Sequence, residues 1–201
     1  NALDGFDILA ITFAGPGITR EWGLGPGALG IVISTGLVGM SIGSLLIAPL
    51  ADTAGRRPTI LLCLILMTLG MLLSATADSM MALALWRVVT GLGIGGMLAS
   101  INAMVAEYAN DARRDFCVGL MAIGYPIGGV LGGMAAAWLL AHFDWRAVFV
   151  FGGVASAVIL LAVWWRLPES IEFLLSKRPA NALNSINDIL TRMQKQPVAE
   201  L

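Results

Sequence analysis

The sequence predicts an all-α membrane protein of six transmembrane helices, and three observations carry that reading. Of the 201 residues, 58% are hydrophobic and only 12% are charged, against about 25% charged in an ordinary soluble domain, so the chain cannot cover itself with a water-facing surface. Its apolar residues fall in long runs, and crossing a hydrocarbon core of about 30 Å takes about 20 residues. Its charges gather in the short stretches between those runs. A net charge of −1 gives no case for nucleic acid; the partner that the composition demands is the lipid bilayer.

The first run is uncharged only over residues 8–18. It reaches spanning length when Asp4-Gly5-Phe6-Asp7 is counted with it, so a helix is expected over residues 1–20, truncated at its start. With two aspartates and no basic leader it does not read as a signal peptide. Further spans are expected over residues 28–51, 59–77, 80–106, 116–141 and 147–165, the fourth helix carrying one charge, Arg87. These make a bundle over residues 1–166. Residues 167–201 are polar, with Pro168 and Pro179 as breakers. Within them Leu183, Ile186, Ile189, Leu190 and Met193 recur at helical spacing, which predicts a cytoplasmic linker carrying an amphipathic helix over residues 180–195.

Loops rich in Lys and Arg stay in the cytoplasm. With the N-terminus inside, nine of the twelve basic residues are cytoplasmic: Arg56, Arg57, Arg113, Arg114, Arg166, Lys177, Arg178, Arg192 and Lys195. Arg20 and Arg146 fall outside. Both the N-terminus and the C-terminal tail are therefore expected in the cytoplasm, across a bacterial-type inner membrane. Trp22, Trp138, Trp145, Trp164 and Trp165 lie near the expected helix ends, where amphipathic rings settle at headgroup level.

The helices also divide as three plus three. The first and fourth carry the buried charges, and the second and fifth carry glycines four apart: Gly39/Gly43 in one, Gly128/Gly132 and Gly129/Gly133 in the other. Such spacing lets helix backbones approach closely. Symmetry of this kind, with opposite polarity, marks the inverted repeats that bracket a site at mid-membrane.

The chemistry rests on three charges in apolar surroundings, each costing about 2.5–3.5 kcal/mol on insertion scales. Asp4 and Asp7, three apart, share a helix face. Asp7 lies about 20 Å from the outer surface and Arg87 about 12 Å, at about 1.5 Å per residue, so their depths overlap near the midplane. Two readings stand. In one, Arg87 neutralises an aspartate and merely ties helix 1 to helix 4. In the other, two carboxylates against one guanidinium leave a surplus negative charge that a proton neutralises reversibly, and Arg87 meets the carboxylate of a small organic anion. Asn102, further along helix 4, is a candidate donor to substrate or to a neighbouring helix. Tyr125 and Phe6 are weaker candidates for stacking on a ring. Cys63 and Cys117 stand at no metal-ligand spacing and read as buried small hydrophobes, and His142 reads as a solvated loop residue. With no metal set, no nucleophile–base pair and no phosphate-binding unit in the pattern, an enzyme is not expected, and neither is a cofactor beyond a proton gradient.

The loop after helix 2 reads Ala48-Pro49-Leu50-Ala51-Asp52-Thr53-Ala54-Gly55-Arg56-Arg57. It resembles the cytoplasmic signature of the major facilitator superfamily, departing from it at Ala48, where the family has Gly, and at Thr53, where it has a basic residue. The resemblance implies a cytoplasmic gate of Asp52, Gly55, Arg56 and Arg57, joined by Glu107 and Arg114, with Asp52 bridging to arginines and Gly55 permitting the turn. Arg87-x-x-x-Gly91-x-Gly93-x-Gly95-Gly96 resembles the family's helix 4, Gly124-Tyr125-Pro126-Ile127-Gly128-Gly129 its helix 5, Asp144-Trp145-Arg146 its outer loop, and Arg166-Leu167-Pro168-Glu169-Ser170 its exit from helix 6. The fold so implied is the N-terminal half of a twelve-helix transporter, with a C-terminal six-helix half expected in the full-length protein. Asp4-Gly5-Phe6-Asp7, together with Pro168-Glu169-Ser170 and Glu172, is most similar to the aromatic acid:proton symporters. That likeness implies Asp4, Asp7 and Arg87 as coupling and substrate residues, protons and a benzoate-type acid as partners. Pro168-Glu169-Ser170 alone is shared with sugar porters and the Pro126–Gly129 stretch points to drug:proton antiporters, so both remain rivals, beside a membrane scaffold or receptor that transports nothing.

Overall fold

The computed structural model describes residues 1–110, 113–177 and 182–192, and within them every regular element is a helix. The order is α1 (Ala2–Trp22), α2 (Pro26–Leu46), α3 (Leu50–Thr53), α4 (Arg56–Ala75), α5 (Met80–Tyr108), α6 (Arg114–His142), α7 (Arg146–Arg166), α8 (Ile171–Lys177) and α9 (Ala182–Arg192). Five runs are long and apolar enough to cross a membrane: Gly27–Thr53, Arg56–Ala75, Met80–Tyr108, Arg114–His142 and Arg146–Arg166. α1 has the length, at 21 residues, but its four charges keep it out of that set. Exposed apolar side chains ring the bundle, Leu45 at 74% and Trp165 at 83% among them, a surface suited to hydrocarbon and not to water.

Local chemistry sets the helix ends. α1 stops at Gly23, whose φ of 62° is a left-handed cap that glycine adopts at little cost. Pro26 opens α2 at the first helical turn, where its missing N–H is no loss. Ser79 caps α5 by accepting the amide of Ala82 at 3.2 Å. The second span, expected unbroken over residues 28–51, is interrupted after Leu46: Pro49 lacks the amide that would continue the ladder, and a separate turn, α3, follows. His142, expected in a loop, is the last residue of α6, its Nδ1 2.9 Å from the Trp138 carbonyl.

The packing repeats itself under exchange of the first three spans (α1, α2, α4) with the last three (α5, α6, α7). α2 lies on α5 as α6 lies on α1, α4 lies on α5 as α7 lies on α1, and α4 meets α7 across the pseudo-axis. Glycines make the two flanking contacts. A Cβ on Gly39 or Gly43 would overlap the Val88 or Leu92 carbonyl of α5, one on Gly95 the Met40 carbonyl of α2, and one on Gly128 the Ala2 carbonyl of α1. Ala2 therefore stands against the midpoint of α6, which places the aspartates of α1 just beyond the middle of the bundle.

Two apolar clusters fill the interior. One, at the end bearing Trp145, gathers Ile18, Leu83, Trp145 and Phe149. The other, toward the end bearing Arg56 and Arg57 (the basic end), gathers Ile60, Cys63, Met67 and Met97. Cys63 is buried as expected, but Cys117 is half-exposed. At the basic end α9 folds back on α8, with Ile186 and Ile189 against Leu174 beside Tyr108. Arg178 and Pro179, and Met193 and Lys195 of the expected amphipathic stretch, lie outside the described residues.

Candidate functional site

α1 and α5 bring the three charges into one buried layer. Asp4 and Asp7 are fully buried and Arg87 is 3% exposed. The guanidinium does not pair with either carboxylate. Its Nη1 donates to the main-chain carbonyl of Asp7 at 3.1 Å. Its Nη2 faces the Met71 sulfur at 2.8 Å, the Thr90 hydroxyl at 3.0 Å and the Ser74 hydroxyl at 3.4 Å, and the group lies 5.0 Å from the centre of the Phe149 ring. Arg87 Nε, like all four carboxylate oxygens of Asp4 and Asp7, has no hydrogen-bond partner among the described residues. The ion pair foreseen in the first reading of these residues is therefore absent. The cause is local: hydroxyls and a sulfur on α4 and α5 hold the guanidinium, while the Asp7 carboxylate turns into space left by Gly152 of α7, where a Cβ would stand 3.1 Å from Oδ1.

A pocket of about 30 Å³ opens beside this layer between α1, α2 and α5, lined by Asp7, Ile11, Ile33, Met40, Arg87 and Thr90 among others. It has room for a water molecule or two and is too small for an aromatic acid. Asn102 is not brought to it. That residue lies some 15 positions along α5, about 22 Å away at the helical rise, and its Nδ2 bonds the Leu98 carbonyl of its own helix at 2.9 Å, so it contacts no neighbouring helix through that group. Phe6 is core, edge-on to Phe151 with centroids 5.6 Å apart. Tyr125 is partly exposed on α6, 37%.

A second polar cluster closes the basic end. Arg56 pairs with Glu107 and, at 2.9 Å, with Glu172. One oxygen of Glu169 accepts the amides of Arg56 at 2.9 Å, Arg57 at 3.0 Å and Ser170 at 2.9 Å. This carboxylate thus caps the N-terminus of α4, where orphan amides and the helix dipole favour an anion. Ser170 donates to Glu107 at 2.8 Å, Tyr108 to the Glu169 carbonyl at 2.7 Å, and Arg57 to the Trp164 carbonyl at 2.7 Å. Gly55 has a φ of 108°, strained for any side chain, and a Cβ there would stand 2.6 Å from Glu169 Oε2. Arg114 reaches the Ala106 carbonyl at 3.1 Å.

Asp52 departs from expectation. Its side chain is exposed and has no hydrogen bond or ion pair among the described residues, and only its amide is engaged, donating to the Pro49 carbonyl at 3.2 Å. The loop arginines, which Asp52 was expected to bridge, are engaged instead by Glu169, arriving from beyond the end of α7, and by Glu107 and Glu172. Glu169, Ser170 and Glu172 are thus members of the cluster that sequence reasoning missed. The available signal was an excess of arginine over acid in the loop, which requires carboxylates from elsewhere. At the opposite end, Glu21 accepts from Trp145 Nε1 at 2.6 Å and Arg146 Nη1 at 2.8 Å, tying α1 to α7.

Two interchangeable helix triplets, a charge layer shielded from lipid at mid-bundle and polar clasps at both ends define a polytopic membrane protein built around an interior site. The Major Facilitator Superfamily model matches residues 1–198, and the chain belongs to that superfamily. It is 35% identical to the gallate transporter of Pseudomonas putida over 90% of this chain and 40% of that protein. It is 32% identical to the 4-hydroxybenzoate transporter PcaK of Acinetobacter baylyi over 98% of this chain and 42% of that one, and 31% identical to the benzoate transport protein of the same organism over 94% and 41%. Among solved structures, the xylose transporter XylE from E. coli in a partially occluded inward-open conformation superimposes with a TM-score of 0.83 at 18% identity, covering 94% of this chain and 51% of that one. The chain spans about two fifths of the length of these curated relatives.

Proposed function

We propose that the full-length protein carries small aromatic carboxylates of the benzoate and 4-hydroxybenzoate type across the membrane together with protons, with both ends of this chain on the cytoplasmic side. One observation carries the reading: at mid-bundle two buried carboxylates with no hydrogen-bond donor lie close to one buried guanidinium with no carboxylate partner among the described residues. With neither aspartate protonated the layer holds a net negative charge and repels an anion. One proton brings it to neutrality, and Arg87, through its unpartnered Nε, then accepts a substrate carboxylate without facing that repulsion. Proton and anion each favour the binding of the other, and such coupling is reciprocal. The relatives named for gallate, 4-hydroxybenzoate and benzoate support the substrate class. The pocket beside Arg87 must widen to admit a ring, which fits rocking of this bundle against a second half around a fixed site.

The test is uptake of radiolabelled 4-hydroxybenzoate by the full-length protein in proteoliposomes, with and without an inward proton gradient. The expected result is accumulation that needs the gradient and is lost in Asp7→Asn. Gradient-independent uptake across a panel of aromatic acids would overturn the proposal, and wild-type accumulation by Asp7→Asn would remove the aspartate from it.

A further inference from the structure

Two buried hydroxyls on the side of α1 away from the Arg87 pocket have no hydrogen-bond partner among the described residues: Thr68 of α4 and Ser156 of α7. Ser156 is fully buried and Thr68 nearly so. Orphaned polar groups are rare in a packed interior, and each requires an explanation. Their positions follow from the register of α4 against α7. Gly152 abuts Met71 and the Asp7 carboxylate, and Gly153 abuts Leu72. On α7, Ser156 falls in angle between Gly152 and Gly153, one turn on. On α4, Thr68 falls between Met71 and Leu72, one turn back. The helices run in opposite directions, so both hydroxyls drop by one turn toward the basic end, into one layer. The register therefore sets the Thr68 and Ser156 hydroxyls one turn below the Asp7–Met71–Gly152 contact, the same step that Asp4 takes from Asp7, and neither hydroxyl lies within hydrogen-bond distance of the other or of either carboxylate. The titratable side chains within electrostatic reach of Asp4 among the described residues are Asp7, Cys63 and Tyr125.

We propose that Thr68 and Ser156 relay protons between Asp7 and Asp4 through internal waters that bridge these oxygens, along a route behind α1 that is separate from the substrate's route past Arg87. The inference rests on the proton-coupled reading above. In each step the protonated carboxyl passes its proton to a bridging water, which gives one of its own hydrogens to a hydroxyl oxygen on a lone pair, and the hydroxyl gives up its original hydrogen to the next water or carboxylate oxygen. Rotation about the Cβ–Oγ bond then restores the starting arrangement, with nothing oxidised or reduced. The same hydroxyls hold the bridging water that donates to whichever aspartate is ionised, a role a methyl group cannot fill.

The test compares two modes of transport in the full-length protein carrying Thr68→Val with Ser156→Ala: gradient-driven accumulation of 4-hydroxybenzoate, in which protons must leave the carrier, and counterflow of labelled for unlabelled 4-hydroxybenzoate, in which the proton stays aboard. The expected result is a fall of about tenfold or more in the initial rate of accumulation, the size set by losing donors to a buried charge, with counterflow unchanged. The swap Thr68→Ser with Ser156→Thr, which keeps both hydroxyls, is expected to restore accumulation. Accumulation at the wild-type rate overturns the relay, and so does an equal loss of both modes, which marks a packing role. If the double variant does not elute as a monodisperse species, Ser156→Ala alone is put through the same two assays against the same outcomes. Gradient-independent uptake by the wild type would instead remove the proton-coupled reading itself, and the relay with it.

Discussion

Arg87 illustrates how much one side chain's shape matters in this bundle. Its fork meets a main-chain oxygen, a sulfur and a hydroxyl on three different helices while Nε stays unpartnered. Lysine carries the same charge but has one compact ammonium, which cannot reproduce these contacts and still present a donor to a planar carboxylate. Arg87→Lys is expected to insert and fold, and to weaken the apparent affinity for 4-hydroxybenzoate by about tenfold or more, the usual worth of a lost charge-assisted hydrogen bond. A KM within twofold of wild type would show that Arg87 does not touch the substrate. This residue and the aspartates of α1 were legible in the sequence because a charge in an apolar run is conspicuous whatever surrounds it. Their pairing was not legible. Depth along a helix follows from counting residues, but the direction of the guanidinium depends on Ser74 and Thr90 and on the space at Gly152, which belong to three different helices.

Among the elements, the start of α4 shows the same limit. Gly55 was readable as a turn residue, and it does carry a positive φ. The resemblance of the loop points to Asp52 as the partner of its arginines, whereas the fold delivers Glu169 to Arg56 from 113 residues away. An N-terminal carboxylate accepting amides typically contributes about 1–2 kcal/mol. Glu169→Ala is therefore expected to lower the melting temperature of the purified protein by several degrees, while Asp52→Ala leaves it unchanged; the reverse order in a thermal-shift measurement would make Asp52 the stabilising carboxylate of this loop. The glycine pairs were legible as close-contact surfaces, since four-residue spacing requires no tertiary knowledge. Their partners were supplied by the exchange symmetry of the bundle. Leucine at Gly95 would have to displace the α2 backbone at Met40. Gly95→Leu is expected to abolish folded protein, as judged by monodisperse elution, where Gly119→Leu, with open space at its Cα, is tolerated.

For the whole molecule, the remaining question is which way the bundle faces. The proposed orientation follows from Arg56, Arg57, Arg113, Arg114 and Arg166, all at one end of the long helices, against Arg20 and Arg146 at the other. α1 fits the same frame although its charges make it the least apolar of the long helices. It runs beside α6 from Gly128 onward and reaches Trp145, whose Cβ would lie 2.8 Å from a Cβ on Gly17, so it rises through the half of the bundle away from the basic end. A labelling experiment decides the direction. In a Cys63→Ala, Cys117→Ser background, which removes both native thiols, single cysteines are placed at Thr53, the last residue of α3, and at Phe143 in the loop before α7, both exposed. A membrane-impermeant maleimide applied to intact cells is expected to modify Phe143→Cys at once and Thr53→Cys only after the membrane is opened. The opposite pattern would turn the bundle over. It would also place the Arg56–Glu107–Glu169 cluster on the outer face, where a proton entering from outside would meet that cluster before reaching Asp4.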